Sequence, residues 1–198
     1  MKLKVPHVLL GLYVIYFAAL GLAPYSREVW VAENIPIVLI VLALAATYRK
    51  FAFSNTSYLM MSVLVFLHTT GGHYTFERVP FGFVTDLFGF TRNHFDRIAH
   101  FSVGFYAYPI AEFIRRKGYS RSRGLLAFTG ITAIFTVAAV YEIIEWWYAA
   151  SADPAAGIAF LGSQGDVWDA QKDMLADGLG AVCAAAFFFL RHKDTPEN

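Results

Sequence analysis

Residues 125–149 read LLAFTGITAIFTVAAVYEIIEWWYA. No charge interrupts the run from Gly124 to Tyr141. At about 1.5 Å per residue, a helix of this length covers a ~30 Å hydrocarbon core with a turn or two to spare. A barrel strand would alternate polar and apolar positions. This stretch does not alternate, and it ends in Trp146, Trp147 and Tyr148, the ring types that settle at a membrane–water boundary. Moving outward, similar apolar runs recur at about 7–23, 34–48, 57–72, 97–114 and 173–190. Of the 198 residues, 57% are hydrophobic and 16% charged, and the mean hydropathy is +0.48. That balance excludes a water-soluble monomer. The expected fold is all-α: a polytopic membrane helical bundle of about six transmembrane helices, with residues 1–198 forming a single integral membrane domain.

Orientation follows from the Lys and Arg residues. Lys2, Lys4, Arg49, Lys50, Arg115, Arg116, Lys117, Arg121, Arg123, Arg191 and Lys193 fall on one side, 11 in all. Arg27, Arg78, Arg92, Arg97 and Lys172 make 5 on the other. The positive-inside rule then makes both termini cytoplasmic and turns 24–33, 73–96 and 150–172 outward. Pro24 follows Gly21-Leu22-Ala23 where a signal-peptide cleavage motif would be wanted, so the first run reads as a retained span. Loop 73–96 carries six phenylalanines among Gly and Pro, a composition suited to lying at the interface or folding back between spans. A net charge of +1 with basic residues only in short clusters gives no nucleic-acid face. The one cysteine, Cys183, can form no intramolecular disulfide.

Charge inside a bilayer costs several kcal/mol per group, roughly, so each ionisable residue there asks for a partner or a task. His68 and His73 close the third run, Asp96 and His100 open the fourth, Glu142 and Glu145 lie near the end of the fifth, and Asp169, Asp173 and Asp177 open the sixth. All nine are expected at the outer side. Asp96 and His100 are i,i+4, Glu142 and Glu145 are i,i+3, and the three aspartates continue i,i+4,i+8, so each set shares a helix face. His68 and His73 are five apart, and a break at Thr69-Thr70-Gly71-Gly72 is expected to turn His73 inward.

Such Asp, Glu and His sets on facing helices are what carboxylate-rich metal sites in bundles use, although the Glu-x-x-His spacing of di-iron proteins is absent. The expected cofactor is a divalent metal ion, Zn, Mn, Mg or Fe, with His68, His73, His100, Glu142, Asp169, Asp173 and Asp177 as candidate ligands. Glu145 and Asp96 are the candidate catalytic bases. Neither Ser102 nor Ser163 sits in a nucleophile motif, which leaves a metal-activated water as the chemistry to expect. The competing readings are an ion- or proton-coupled transporter or metal-handling protein, and a non-catalytic scaffold whose polar groups only bind helix to helix. Membrane lipid is the expected partner and a lipid-linked molecule the expected substrate, while the oligomeric state is open.

Three strings carry a resemblance. Asn93-His94-Phe95-Asp96-Arg97-Ile98-Ala99-His100-Phe101, Tyr141-Glu142-Ile143-Ile144-Glu145-Trp146-Trp147 and Gly165-Asp166-Val167-Trp168-Asp169-Ala170-Gln171-Lys172-Asp173-Met174 together resemble the YjdF-like family of bacterial inner-membrane proteins, a domain of unknown function. The resemblance covers essentially the whole chain and implies a six-span, multi-pass protein of the bacterial inner membrane, without implying a reaction. A more distant likeness is to VanZ-like membrane proteins. Asp96, His100 and Phe101 match their first motif with Arg97 in place of Lys; Glu142 matches the second with Glu145 where Gln is usual; Asp173 and Asp177 match the third with Asp177 replacing Asn. Both acidic departures favour cation binding, and cell-envelope biology is implied by analogy only. The run Asp166, Asp169, Asp173, Asp177 is also similar to the acidic helices of phosphatidyl-alcohol transferases, but their Asp-Gly and Ala-Arg elements are missing here, so membership is rejected.

Overall fold

The computed structural model describes residues 4–151 and 163–192, and every regular element among them is helical. Lys2, Lys193 and residues 152–162 of the expected outer loop lie outside the described residues, as does the side chain of Ser163. The chain divides into two compact units, one ending at Ala99 and the other starting at His100.

In the first unit, α1 (Val5–Gly21) and α2 (Arg27–Thr47) both pack on α3 (Asn55–Tyr74). The short α4 (Gly82–Phe88) follows, and α5 (Phe95–Val103) begins the exit. Helix α2 starts well before the expected boundary, so residues 27–33 are wound rather than looped. Ser26 caps it by accepting from the Val29 N–H at 3.3 Å, Glu28 lies in the first turn where the helix dipole favours an acid, and Trp30 is buried against Phe17. Capping and a buried ring make a helix of a segment that hydropathy leaves outside the second span.

Nor does α3 break at Thr69–Gly72, which corrects a second expectation. It runs on to Tyr74 and ends in a left-handed Thr75, φ 61°. The glycines serve approach instead: a Cβ on Gly71 would collide with the Phe76 ring, and one on Gly72 would fall 2.8 Å from Asn34 Nδ2 and 3.1 Å from Glu33 Cβ.

In the second unit, α6 (Ala107–Arg116), α7 (Arg123–Ser151) and α8 (Asp169–Arg191) pack on one another. The expected continuous run 97–114 is divided, because a 3₁₀ turn at Gly104–Tyr106 separates α5 from α6. Pro109 accounts for this: it offers no N–H to the Phe105 carbonyl and its ring crowds that position. The core here is small-residue rich, with Ala107, Ala111, Ala138, Ala181, Ala184 and Ala185 buried around Tyr108 and Phe188. Small side chains let membrane helices approach closely, where packing and not water exclusion drives association.

Among the described residues, three helices, α2, α7 and α8, are long and apolar enough to cross a membrane, and α1 is a shorter apolar helix of 17 residues. Their large side chains face outward: Phe128, Val137, Val140, Ile143 and Ile144 on α7 and Leu175, Leu179 and Val182 on α8 are exposed. A surface of this kind suits hydrocarbon.

Candidate functional site

Helix α8 buries all three of its first aspartates, Asp169, Asp173 and Asp177. Below them Gly180, Ala181, Ala184 and Phe188 continue the same stripe. The stripe is packed so closely that side chains vanish at the crossing. A Cβ on Gly104 would strike the Ala181 nitrogen and the Gly180 carbonyl carbon, and one on Gly180 would strike the Phe101 carbonyl oxygen. Backbone touches backbone, and a short Asp then reaches its neighbour's side chain.

That neighbour is His100. Its Nε2 lies 3.6 Å from Asp173 Oδ1, and its Nδ1 lies 3.3 and 3.4 Å from the two oxygens of Asp177. Side-chain exposure is 17% for His100, 6% for Asp173 and 2% for Asp177, so the acids are buried more deeply than the imidazole they flank. The separation to Asp173 is long for a hydrogen bond. It is near the ~3.4 Å between two ligands that each stand about 2.1 Å from a tetrahedral ion. The Asp177 contact has the form of the carboxylate that orients a metal-bound imidazole through its other nitrogen.

The remaining predicted residues fall as follows. Asp96 opens α5 one turn before His100 and pairs with Arg97 at 3.6 Å. Glu142 and Glu145 are half-buried on α7, three residues apart. Asp166 is spent locally, accepting from Trp168 N–H and pairing with Lys172 at 2.7 Å. His73 donates from Nδ1 to the Leu20 carbonyl at 2.6 Å and stacks edge-on against Tyr74, so the first unit uses it to join α3 to α1.

His68 meets a carboxylate absent from the sequence reading: Glu33 Oε2 is 3.7 Å from its Nε2. Glu33 and the adjacent Asn34 are buried at 8% and 3% exposure. A signal was there to find, since Trp30, Glu33, Asn34 and Ile37, the buried residues of α2, stand at i, i+3, i+4 and i+7. Elsewhere the buried Glu112 pairs with Arg116 at 2.6 Å, an ion pair four residues apart on α6.

Residues 5–194 match the model of a family described as "Predicted membrane protein (DUF2238)". The Inner membrane protein YjdF of Escherichia coli (strain K12) is 35% identical over 178 residues, covering 87% of this chain and 83% of that protein. No solved structure matches the chain.

Proposed function

We propose that this chain, which belongs to the DUF2238 family of predicted membrane proteins, is a multi-pass inner-membrane protein whose second unit holds a divalent cation on His100 and Asp173, with Asp177 orienting the imidazole. One observation carries the reading: a single imidazole has a buried carboxylate at each nitrogen, both supplied by one helix. Two buried carboxylates gathered on one imidazole favour a cation or a proton among them. Imidazole beside carboxylate selects Zn, Mn or Fe over Mg or Ca. The chemistry we assign is a metal-activated water acting on a lipid-linked or envelope-derived molecule, with Asp96 or Glu145 as base. Asp169, one turn from Asp173, and Glu142 are further ligands on this reading. The comparison supports the membrane location through the relative's name, inner membrane protein.

The contact of His100 Nδ1 with both Asp177 oxygens also favours a second reading, in which a protonated imidazole bridges the two aspartates and serves as a proton relay or as helix glue. Elemental analysis of detergent-purified protein separates the two. The expected result is a divalent ion near one equivalent at this site, lost in His100→Ala with Asp173→Ala while the protein stays monodisperse. A metal-free wild type would establish the relay or glue reading.

Six spans with cytoplasmic termini are part of the same proposal. Single cysteines at Ser122 and Ser163, in a Cys183→Ala background, are expected to label from the cytoplasmic and outer sides respectively. Reversed labelling would turn the site inward.

A further inference from the structure

We propose that the first unit holds a second, separate divalent-cation site formed by Glu33, Asn34 and His68. Helix α2 supplies the carboxylate and the amide, and α3 supplies the imidazole. Glu33 Oε2 and His68 Nε2 stand 3.7 Å apart, again long for a hydrogen bond and close to a ligand–ligand edge.

Asn34 adds an independent sign. It is 3% exposed, and its Nδ2 donates to the Trp30 carbonyl at 2.9 Å, which settles which end of the amide is oxygen. The other end, Oδ1, is a buried acceptor that meets no hydrogen-bond donor among the described residues. An acceptor shut away from water and left so is costly, and natural structures satisfy such atoms with a donor, a water or an ion.

The three side chains gather where α2 crosses α3. The hollow that Gly72 leaves in α3 is bounded by Asn34 Nδ2 at 2.8 Å and Glu33 Cβ at 3.1 Å, and His68 lies one turn earlier on the same face of α3. The Phe76 ring, 5.2 Å from the His68 ring and edge-on to it, covers this side. A carboxylate, an amide oxygen and an imidazole in a buried setting offer one negative charge and three electron pairs. A divalent transition ion takes all three, and imidazole in the set disfavours Na⁺, Mg²⁺ and Ca²⁺.

The test is a binding stoichiometry on the full-length, detergent-purified chain, stripped with chelator and equilibrated with Mn²⁺ alone, read by elemental analysis and electron paramagnetic resonance. Two ions per wild-type chain are expected. Glu33→Gln and Asn34→Leu are each expected to weaken one of them by at least about tenfold, and His100→Gln the other. One ion that survives Glu33→Gln and disappears with His100→Gln overturns the first-unit site and leaves the proposed function standing. One ion with the opposite behaviour upholds this site and removes the His100 site. No ion in the wild type overturns both. Where Asn34→Leu does not fold, Asn34→Asp keeps the shape and adds charge: tighter Mn²⁺ binding is expected, and unchanged affinity would remove Asn34 from the site.

Discussion

Each unit sets an imidazole against a buried carboxylate where two helices cross on glycine, but with acids of different length. In the first unit, α2 meets Gly72 of α3 through side-chain atoms, the Asn34 amide and the Glu33 Cβ. The acid that reaches His68 is a glutamate. In the second unit, the end of α5 and the 3₁₀ turn after it meet α8 backbone to backbone, with Phe101 against Gly180 and Gly104 against Gly180 and Ala181. The acids that flank His100 are aspartates. Approach distance decides the acid: one methylene fewer suffices where the helices have already closed the gap. The same closeness lets one turn of α8 present two carboxylates to one imidazole, while the wider crossing presents one carboxylate and one amide.

The comparison breaks most readily at its glycines. Gly180→Ala would press a methyl group into the Phe101 carbonyl, which belongs to a helix and cannot swing aside. A loss of about 3 kcal/mol or more is expected, at the upper end of overpacking costs, seen as poor yield of monodisperse protein or a large fall in detergent unfolding temperature. Gly72→Ala meets the tip of the Asn34 side chain, so one side-chain hydrogen bond rather than a backbone carbonyl must give, and a loss nearer ~1 kcal/mol is expected. Equal losses would mean that approach distance does not distinguish the two crossings.

A second pair of variants sharpens the contrast inside the second unit. Asp173→Asn is expected to weaken Mn²⁺ binding more than 100-fold, roughly, because it removes an anionic ligand, whereas Asp177→Asn should cost about 10- to 100-fold by disturbing only the orientation of His100. Titration of the two variants checks the order, and the reverse order would exchange the roles of ligand and orienting group.

A change no larger than that of Gly72→Ala is expected at the start of α2. Ser26→Ala removes the acceptor of the Val29 N–H and should cost about 1 kcal/mol of first-unit stability without altering metal content. Any loss of metal would show that the cap also places Glu33 and Asn34, two turns further along the helix.

Much of this was legible from residue order. Hydropathy located the apolar cores of α1, α2, α7 and α8, and the four-residue spacing of Asp169, Asp173 and Asp177 put them on one face of α8. The boundaries were less legible where conformation follows from contacts. Gly71 and Gly72 look like helix breakers in a string, yet Phe76, Glu33 and Asn34 press on them and keep the helix whole. Glu33 looked like a loop acid until the Ser26 cap and the buried Trp30 drew its segment into α2. Pro109 was visible in the sequence, but its place beside Gly104 at a helix crossing, where the 3₁₀ turn forms, was not.

The sequence alone therefore determined a helical membrane chain and which ionisable groups share a face, because both depend on transfer free energy and on a fixed rise and turn per residue. Only the tertiary structure decided that His68 meets Glu33, that His73 turns to the Leu20 carbonyl and that His100 lies between Asp173 and Asp177. A partner across helices depends on how near two axes come and how each is rotated, and those are properties of the packed pair and not of either strand of residues.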